Sequence, residues 1–331
     1  MARNAAPLSP GSAAGSRRTE IVEGVLAGDA RAIGRAISAA ERGEAVAGIV
    51  AALFPRTGRA RILGITGPPG AGKSTLVSRI GRLFRTQGRR VGIVAVDPSS
   101  PFTGGAILGD RIRMTELYTD PNVFIRSMAT RGALGGLARA TSDAVDILDA
   151  AGFDVILIET VGVGQDEVDI VQVADTVAVV LMPGQGDDIQ AIKAGILEIA
   201  DVFVVNKADR EGADRAVAEL SMMLDFDPHR AWRPPIVKTV APRQEGVEEA
   251  VAALASHGAY LAASGEGEKR RARRVRARLL ALLEERFRRA VEARAPGPEG
   301  LEEAVKRLLA RSEDPYSAAG RLFTGLVRHE Q

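Results

Sequence analysis

The feature that most constrains the fold of this 331-residue chain is a glycine-rich segment between an apolar run and a helical pattern. Glycines allow backbone N–H groups to face phosphate oxygens, a lysine supplies a compact positive charge, and a serine hydroxyl can bind Mg²⁺. The apolar run 62–65 predicts a strand before the segment, and residues 73–84 predict a helix after it. This order predicts a phosphate-binding loop for a nucleoside triphosphate with Mg²⁺. Its residues are Gly67, Pro68, Pro69, Gly70, Ala71, Gly72, Lys73, Ser74 and Thr75.

A second motif predicts which base is bound. The apolar run 202–205 predicts a strand, which delivers Asn206, Lys207 and Asp209 to the sheet edge where α/β proteins bind ligands. A carboxylate at Asp209 can accept hydrogen bonds from N1–H and the C2 amino group of guanine. Adenine offers neither donor and would leave the carboxylate unpaired, which costs binding free energy. Together the motifs predict binding of GTP and GDP, although the second motif alone could be a loop that closes a strand.

The distribution of apolar residues divides the chain into four segments. Residues 1–18 are predicted to be a disordered tail, and residues 19–57 a helical segment of two or three short helices. Residues 58–264 alternate strand and helix patterns, and their mostly continuous Val/Ile/Leu runs are typical of parallel strands. This part is predicted to be a doubly wound α/β domain with a mostly parallel sheet. Residues 265–331 are wholly helical and must pack on that domain or on a partner.

Individual elements follow from the same periodicities. Strands are expected at 61–66, 91–96, 123–127, 154–159, 176–182, 202–206 and 235–240. Helices are expected near 73–87, 110–119, 134–151, 188–200, 213–224 and 246–263, then in one long helix after residue 264, and at 299–311 and 315–328.

Composition excludes several classes of function. The chain has no cysteine, and His229, His257 and His329 are too scattered to predict a transition-metal site. Net charge is +2, and the basic run 269–278 lacks interleaved aromatic residues, so we expect no nucleic-acid partner. No apolar run approaches the roughly 20 residues that span a bilayer, so we expect no membrane association. The protein is expected to be cytoplasmic, or in the mitochondrial matrix if its arginine-bearing, acid-free start is a transit peptide.

Acidic residues after two predicted strands suggest a Mg²⁺ shell and moving switch segments. Asp97 follows one strand and Glu159 ends another, and acids near a phosphate loop can hold Mg²⁺ directly or through water. Asp110 is a further candidate, and Gly162 leaves a backbone N–H free to meet a γ-phosphate. Helix capping or surface exposure is the alternative for all three acids.

These motifs together resemble the MeaB/ArgK family of G proteins, which includes the mitochondrial methylmalonic aciduria type A protein. The similarity covers roughly residues 19–328, and the combination of motifs is more specific than any one of them. Besides the phosphate loop and the 206–209 motif, the matching stretches are 96–100, 104–105, 109–111, 159–165, 184–193 and 314–319.

The resemblance implies a homodimeric GTPase chaperone for an adenosylcobalamin-dependent acyl-CoA mutase such as methylmalonyl-CoA mutase, with residues 265–331 as the expected dimerisation arm. Such proteins gate cofactor loading and protect the mutase from inactivation. The resemblance places Lys73, Ser74 and Thr75 at phosphate and Mg²⁺ positions. It also implies roles for three further groups, whose members are Asp97, Asp110 and Glu159 at the switches and Mg²⁺ shell, Asn206, Lys207 and Asp209 at the base, and Asp187, Asp188, Gln190 and Lys193 in a third, mobile loop. That loop could also be an ordinary strand-to-helix turn with an aspartate cap.

Two positions depart from common GTPase patterns. The last base-contacting loop, with Val240 and Ala241, lacks a second hydroxyl, so we expect its contact to come from the backbone. Val163 stands where a water-orienting glutamine often follows the motif glycine, and Gln165 comes two residues later. We therefore expect slow intrinsic hydrolysis, with Gln165 among the candidate catalytic residues, and stimulation by a partner.

Three other functions share part of this pattern. A nickel-enzyme metallochaperone GTPase would need Cys or His clusters, which the chain lacks. A kinase or ATPase linked to amino-acid transport is disfavoured by Asp209, because adenine does not pair with it. A regulatory module with a vestigial site is disfavoured by the intact Lys73, Ser74, Asp97 and Glu159.

Overall fold

The computed structural model describes residues 10–43, 46–97, 115–129, 136–160, 170–184, 198–226, 230–293 and 300–327. Internal contacts divide the chain into two units, Met1–Arg271 and Ala272–Gln331. The first unit contains the sheet and the helices that cover it. The second contains most of one long helix and two shorter ones.

A seven-stranded sheet forms the centre of the first unit. Its spatial order is β3-β2-β4-β1-β5-β6-β7, and every pairing is parallel. This confirms the predicted α/β class, and the inner strands β4, β5 and β6 are buried along their whole length, as the unbroken apolar runs predict. The strands are β1 (Arg61–Thr66), β2 (Val91–Asp97), β3 (Val123–Ala129), β4 (Val155–Thr160), β5 (Thr176–Leu181), β6 (Val202–Asn206) and β7 (Ile236–Thr239).

Helices cover both faces of the sheet. One face packs against a core that includes Leu76 and Leu254, and the other against a core that includes Ile33, Leu148 and Leu220. All five side chains are buried, because each occupies the apolar stripe of an amphipathic helix. These helices and their neighbours in the first unit are α1 (Pro10–Leu26), α2 (Ala30–Arg42), α3 (Val46–Leu53), α4 (Lys73–Thr86), α5 (Thr115–Tyr118), α6 (Gly136–Ala150), α7 (Ala213–Asp225), α8 (Val247–Ser264) and the start of α9 (Glu266–Ala293).

The N-terminal helical segment begins earlier than predicted. Helix α1 starts at Pro10, so the expectation of disorder is wrong for residues 10–18. Proline suits a first helical position, and the following alanine and arginine residues favour a helix that continues into the apolar stripe of Ile21 and Val25. Helix α2 is capped by Asp29, whose Oδ1 accepts a hydrogen bond from the Ala32 N–H at 2.7 Å.

The second unit has few buried apolar side chains. Among its described residues these are Ala304 and Ala318, in helices α10 (Leu301–Leu309) and α11 (Pro315–Val327). Glu313 joins the two helices by accepting hydrogen bonds from Arg321, the shorter at 2.9 Å. Large apolar side chains remain exposed on this unit, namely Val275, Leu279, Leu280, Leu282, Leu283, Phe287, Val305, Leu309, Tyr316 and Phe323.

No helix within the described ranges is both long enough and apolar enough to cross a bilayer.

A buried histidine lies at the amino ends of β5 and β6, the sheet edge opposite the nucleotide motifs. His257 of α8 is fully buried, with Nδ1 2.9 Å from Thr176 Oγ1 and Nε2 3.2 Å from Asp201 Oδ1. Asp201 also accepts two hydrogen bonds from Arg270, and the Trp232 ring lies 5.0 Å from the imidazole. Burial lowers the pKa of His257, and the positive charge of Arg270 adds to this effect, whereas Asp201 and Asp175 oppose it.

We expect His257 to make the free energy of unfolding depend on pH. Because the folded pKa lies below the unfolded value of about 6.5, the unfolded chain binds more protons as the pH falls through that value. Stability is therefore complete above about pH 6.5 and decreases below it, by at most about 1.4 kcal/mol per pH unit for this one proton. Urea unfolding between pH 8 and 5.5 should show a shallower decline for His257→Gln than for the parent. Equal slopes would contradict the prediction.

Candidate nucleotide-binding site

The phosphate loop lies between β1 and α4, and its shape requires glycine. Gly67 and Gly72 have φ angles of 134° and 88°, which L side chains rarely adopt. A Cβ at Gly67 would overlap the carbonyl oxygen of Val180, and one at Gly72 would overlap the amide of Asn206. The backbone can therefore curve closely between β5 and β6, as the motif predicts.

Lys73 is the first residue of α4 and lies across this loop. Its side chain is buried, and Nζ donates hydrogen bonds to the carbonyl oxygens of Gly67 at 2.7 Å and Pro68 at 3.0 Å. The N-terminus of α4 lies beside it, where unpaired N–H groups favour anions. The ammonium and the helix N-terminus together form a site for phosphate oxygens.

Ser74 and Glu159 lie next to the loop and are both buried. Glu159 is opposite Ile65 in the β1–β4 pairing, and the Ser74 hydroxyl donates a hydrogen bond to Glu159 Oε1 at 2.6 Å. A hydroxyl and a carboxylate are the hard oxygen ligands that Mg²⁺ prefers, so these two groups fit that ion. At the next position the hydroxyls of Thr66 and Thr160 are 2.8 Å apart, which joins the carboxyl ends of β1 and β4.

The other predicted switch and Mg²⁺ residues are only partly placed. Asp97 is the last residue of β2, which pairs with β4. The remaining candidates lie outside the described residues, and they are Asp110, Gly162, Gln165, Asp187, Asp188, Gln190 and Lys193.

Asn206 connects the base motif to the phosphate loop. Its buried side chain donates from Nδ2 to the Ala71 carbonyl oxygen at 2.8 Å. Its Oδ1 accepts from Thr239 Oγ1 at 3.0 Å and from the Ala241 N–H at 3.2 Å. One side chain therefore fixes the ends of β6 and β7 against the phosphate loop.

Lys207 and Asp209 extend from the same strand end. Lys207 adopts a φ of 57°, and its Nζ donates to the Gly70 carbonyl oxygen at 2.7 Å. Asp209 is partly exposed and lies 3.8 Å from Arg243. The structure thus brings the two predicted motifs together at the carboxyl ends of β1 and β6.

Sequence analysis missed some contacts here. It assigned no side chain to the last base loop, yet the hydroxyl of Thr239 positions Asn206, and the N–H groups of Val240 and Ala241 are engaged with Glu245 and Asn206. Thr239 stands opposite Asn206 in the β6–β7 pairing. That register was the signal that could have identified it.

The parallel sheet, the phosphate loop and the Asn-Lys-Ala-Asp motif at one sheet edge define a P-loop nucleotide-binding protein of the GTPase type. A family profile described as methylmalonyl Co-A mutase-associated GTPase MeaB matches residues 30–295. The chain belongs to this MeaB family, as the motifs predict.

Named relatives agree with this family. A Pyrococcus abyssi protein that bears a GTPase name is 49% identical over 313 residues, 93% of this chain and 96% of that protein. GTPase ArgK of Escherichia coli is 38% identical over 219 residues, 65% of this chain and 66% of ArgK. The mouse methylmalonic aciduria type A homolog, named as mitochondrial, is 42% identical over 209 residues, 62% of this chain and 50% of that protein.

A solved structure supports the fold. The crystal structure of a LAO/AO transport system kinase superposes with a TM-score of 0.67 at 22% identity, covering 97% of this chain and 99% of that one. At this identity the similarity concerns the fold alone.

Proposed function

We propose that this protein binds GTP and GDP and hydrolyses GTP. The observation that carries the proposal is the bond from Asn206 to Ala71, which fixes the base motif against the phosphate loop. Lys73 and the N-terminus of α4 bind the outer phosphates, while Asp209 accepts hydrogen bonds from guanine. GTPase names among the relatives support hydrolysis as the reaction.

The residues of the loop also suit Mg²⁺. Ser74 and Glu159 would hold the ion, with Asp97 and Asp110 as further carboxylates from the neighbouring segments. The ion supplies positive charge that offsets the negative charge of the reacting phosphates. Lys73 holds the phosphate chain beside this position, and Gly162 and Gln165 are candidates for contacting the γ-phosphate and orienting water.

We further propose that the GTPase cycle serves an adenosylcobalamin-dependent acyl-CoA mutase, by gating cofactor loading and protecting the mutase. The family description, which names methylmalonyl Co-A mutase, supports this partner. The proposed mobile loop that senses nucleotide state contains Asp187, Asp188, Gln190 and Lys193. We also propose a homodimer formed through residues 265–331, because that extension exposes many large apolar side chains.

Lys193→Ala tests the mutase proposal. Intrinsic GTP affinity should be nearly unchanged, because the phosphates are held by the loop at 67–74, whereas stimulation of hydrolysis by methylmalonyl-CoA mutase should be lost. GTPase rates are measured for parent and variant with and without that mutase, with Lys306→Ala as the control for loss of an exposed lysine. No stimulation of the parent, by this mutase or by other acyl-CoA mutases, would contradict the partner. Equal stimulation of Lys193→Ala would contradict the role of the loop.

A further inference from the structure

The turn that follows β7 is held rigidly beside the base motif. Residues Ala241–Arg243 form one turn of 3₁₀ helix, and the Val240 N–H donates to the Glu245 carbonyl oxygen at 2.9 Å. Gly246 has a φ of 72°, and a Cβ there would overlap the carbonyl oxygen of Lys238. The backbone that carries the Arg243 side chain is therefore fixed on both sides.

The guanidinium of Arg243 lies between two carboxylates. Its Nε is 3.0 Å from Glu245 Oε1, and an Nη is 3.8 Å from Asp209 Oδ2. Glu245 belongs to the same turn and orients the guanidinium, whereas Asp209 belongs to the base motif at the end of β6. The three side chains are 54%, 59% and 43% exposed for Arg243, Glu245 and Asp209, so solvent weakens the pairing without removing it.

We propose that Arg243 is a positioning residue for guanine recognition, acting through the carboxylate of Asp209. This inference rests on the proposed binding of guanine nucleotides. Each carboxylate oxygen has two lone pairs, so a guanidinium beside Oδ2 limits rotation of the carboxylate and still leaves acceptors for N1–H and the C2 amino group. Arg243 also offsets the negative charges of Asp209 and Glu245, which lie on either side of it.

The first test measures GDP affinity by calorimetry. Arg243→Gln should weaken GDP binding about two- to fivefold, the range expected of a solvent-exposed ion pair, and Arg243→Lys should bind nearly as well as the parent. The difference should shrink at high salt, because the pairing is screened. Arg215→Gln is the matched control, since it removes one exposed arginine that pairs with Glu219 on α7, and it should bind like the parent.

The second test asks whether Arg243 acts through the carboxylate. In an Asp209→Asn background, position 209 carries no charge for Arg243 to hold, so adding Arg243→Gln should not weaken the binding of xanthosine diphosphate. The same weakening in both backgrounds would mean that Arg243 contacts the nucleotide directly, which would overturn the proposal. Unchanged GDP binding by Arg243→Gln would overturn it too. Equal affinity of the parent for GDP and ADP would instead refute the guanine assignment on which it rests.

Discussion

Lys73→Ala is expected to reduce GTP turnover about 100- to 1,000-fold while weakening GTP binding much less. Negative charge shifts among the phosphate oxygens during transfer, so a fixed ammonium stabilises the transition state more than the bound substrate. The buried position of Lys73, against the carbonyl oxygens of Gly67 and Pro68, allows no exposed lysine to replace it. Single-turnover hydrolysis and calorimetry with a non-hydrolysable GTP analogue separate the two effects.

The control is Lys306→Ala, which removes an exposed lysine of α10 and should leave both quantities unchanged. Circular dichroism should show that Lys73→Ala keeps its helix content, because the loss of two hydrogen bonds at the loop concerns few residues. A turnover rate equal to that of the parent would exclude Lys73 from the chemistry.

Asp209→Asn is expected to change the base preference from guanine to xanthine. The amide presents a donor where the carboxylate presented only acceptors, and xanthine carries a carbonyl group at C2. Loss of the two guanine hydrogen bonds should weaken GTP binding about 10- to 100-fold, while binding of xanthosine triphosphate should strengthen. Calorimetry with GTP, ATP and xanthosine triphosphate measures the three affinities.

Asp214→Asn is a matched control, because it makes the same chemical change at an exposed aspartate of α7 that pairs with Lys238. Its preference for GTP should equal that of the parent. If the parent itself bound ATP as tightly as GTP, the guanine assignment would be refuted. If Asp209→Asn kept the preference of the parent, Asp209 would not be the residue that recognises the base.

The sequence predicts the strands well because they are short, continuous apolar runs bounded by polar residues. β1 and β6 have the predicted limits, and the other strands differ from the prediction by one or two residues at their ends. The start of α1 was not predicted, because alanine, serine and arginine residues without an apolar stripe are compatible with either a helix or a tail. Such a segment is decided by the helix that follows it.

The two nucleotide motifs were predictable because each is local. The glycine spacing that lets a backbone curve around phosphates, and the lysine that follows it, lie within one turn between a strand and a helix. Asp209 selects guanine by its own acceptors, at the end of its own strand. The sequence by itself therefore determined the class of fold, the phosphate loop and the expected base.

Only the tertiary structure decided how these parts are joined. The bond from Asn206 to Ala71 spans 135 residues, and the one from Ser74 to Glu159 spans 85. Whether such groups meet depends on strand order and register, which place β4 beside β1 and Thr239 opposite Asn206. The place of Arg243 beside Asp209 likewise follows from the turn after β7. Motifs specify local backbone geometry and chemical groups, whereas contacts between distant groups arise only when the sheet brings strand ends to one edge.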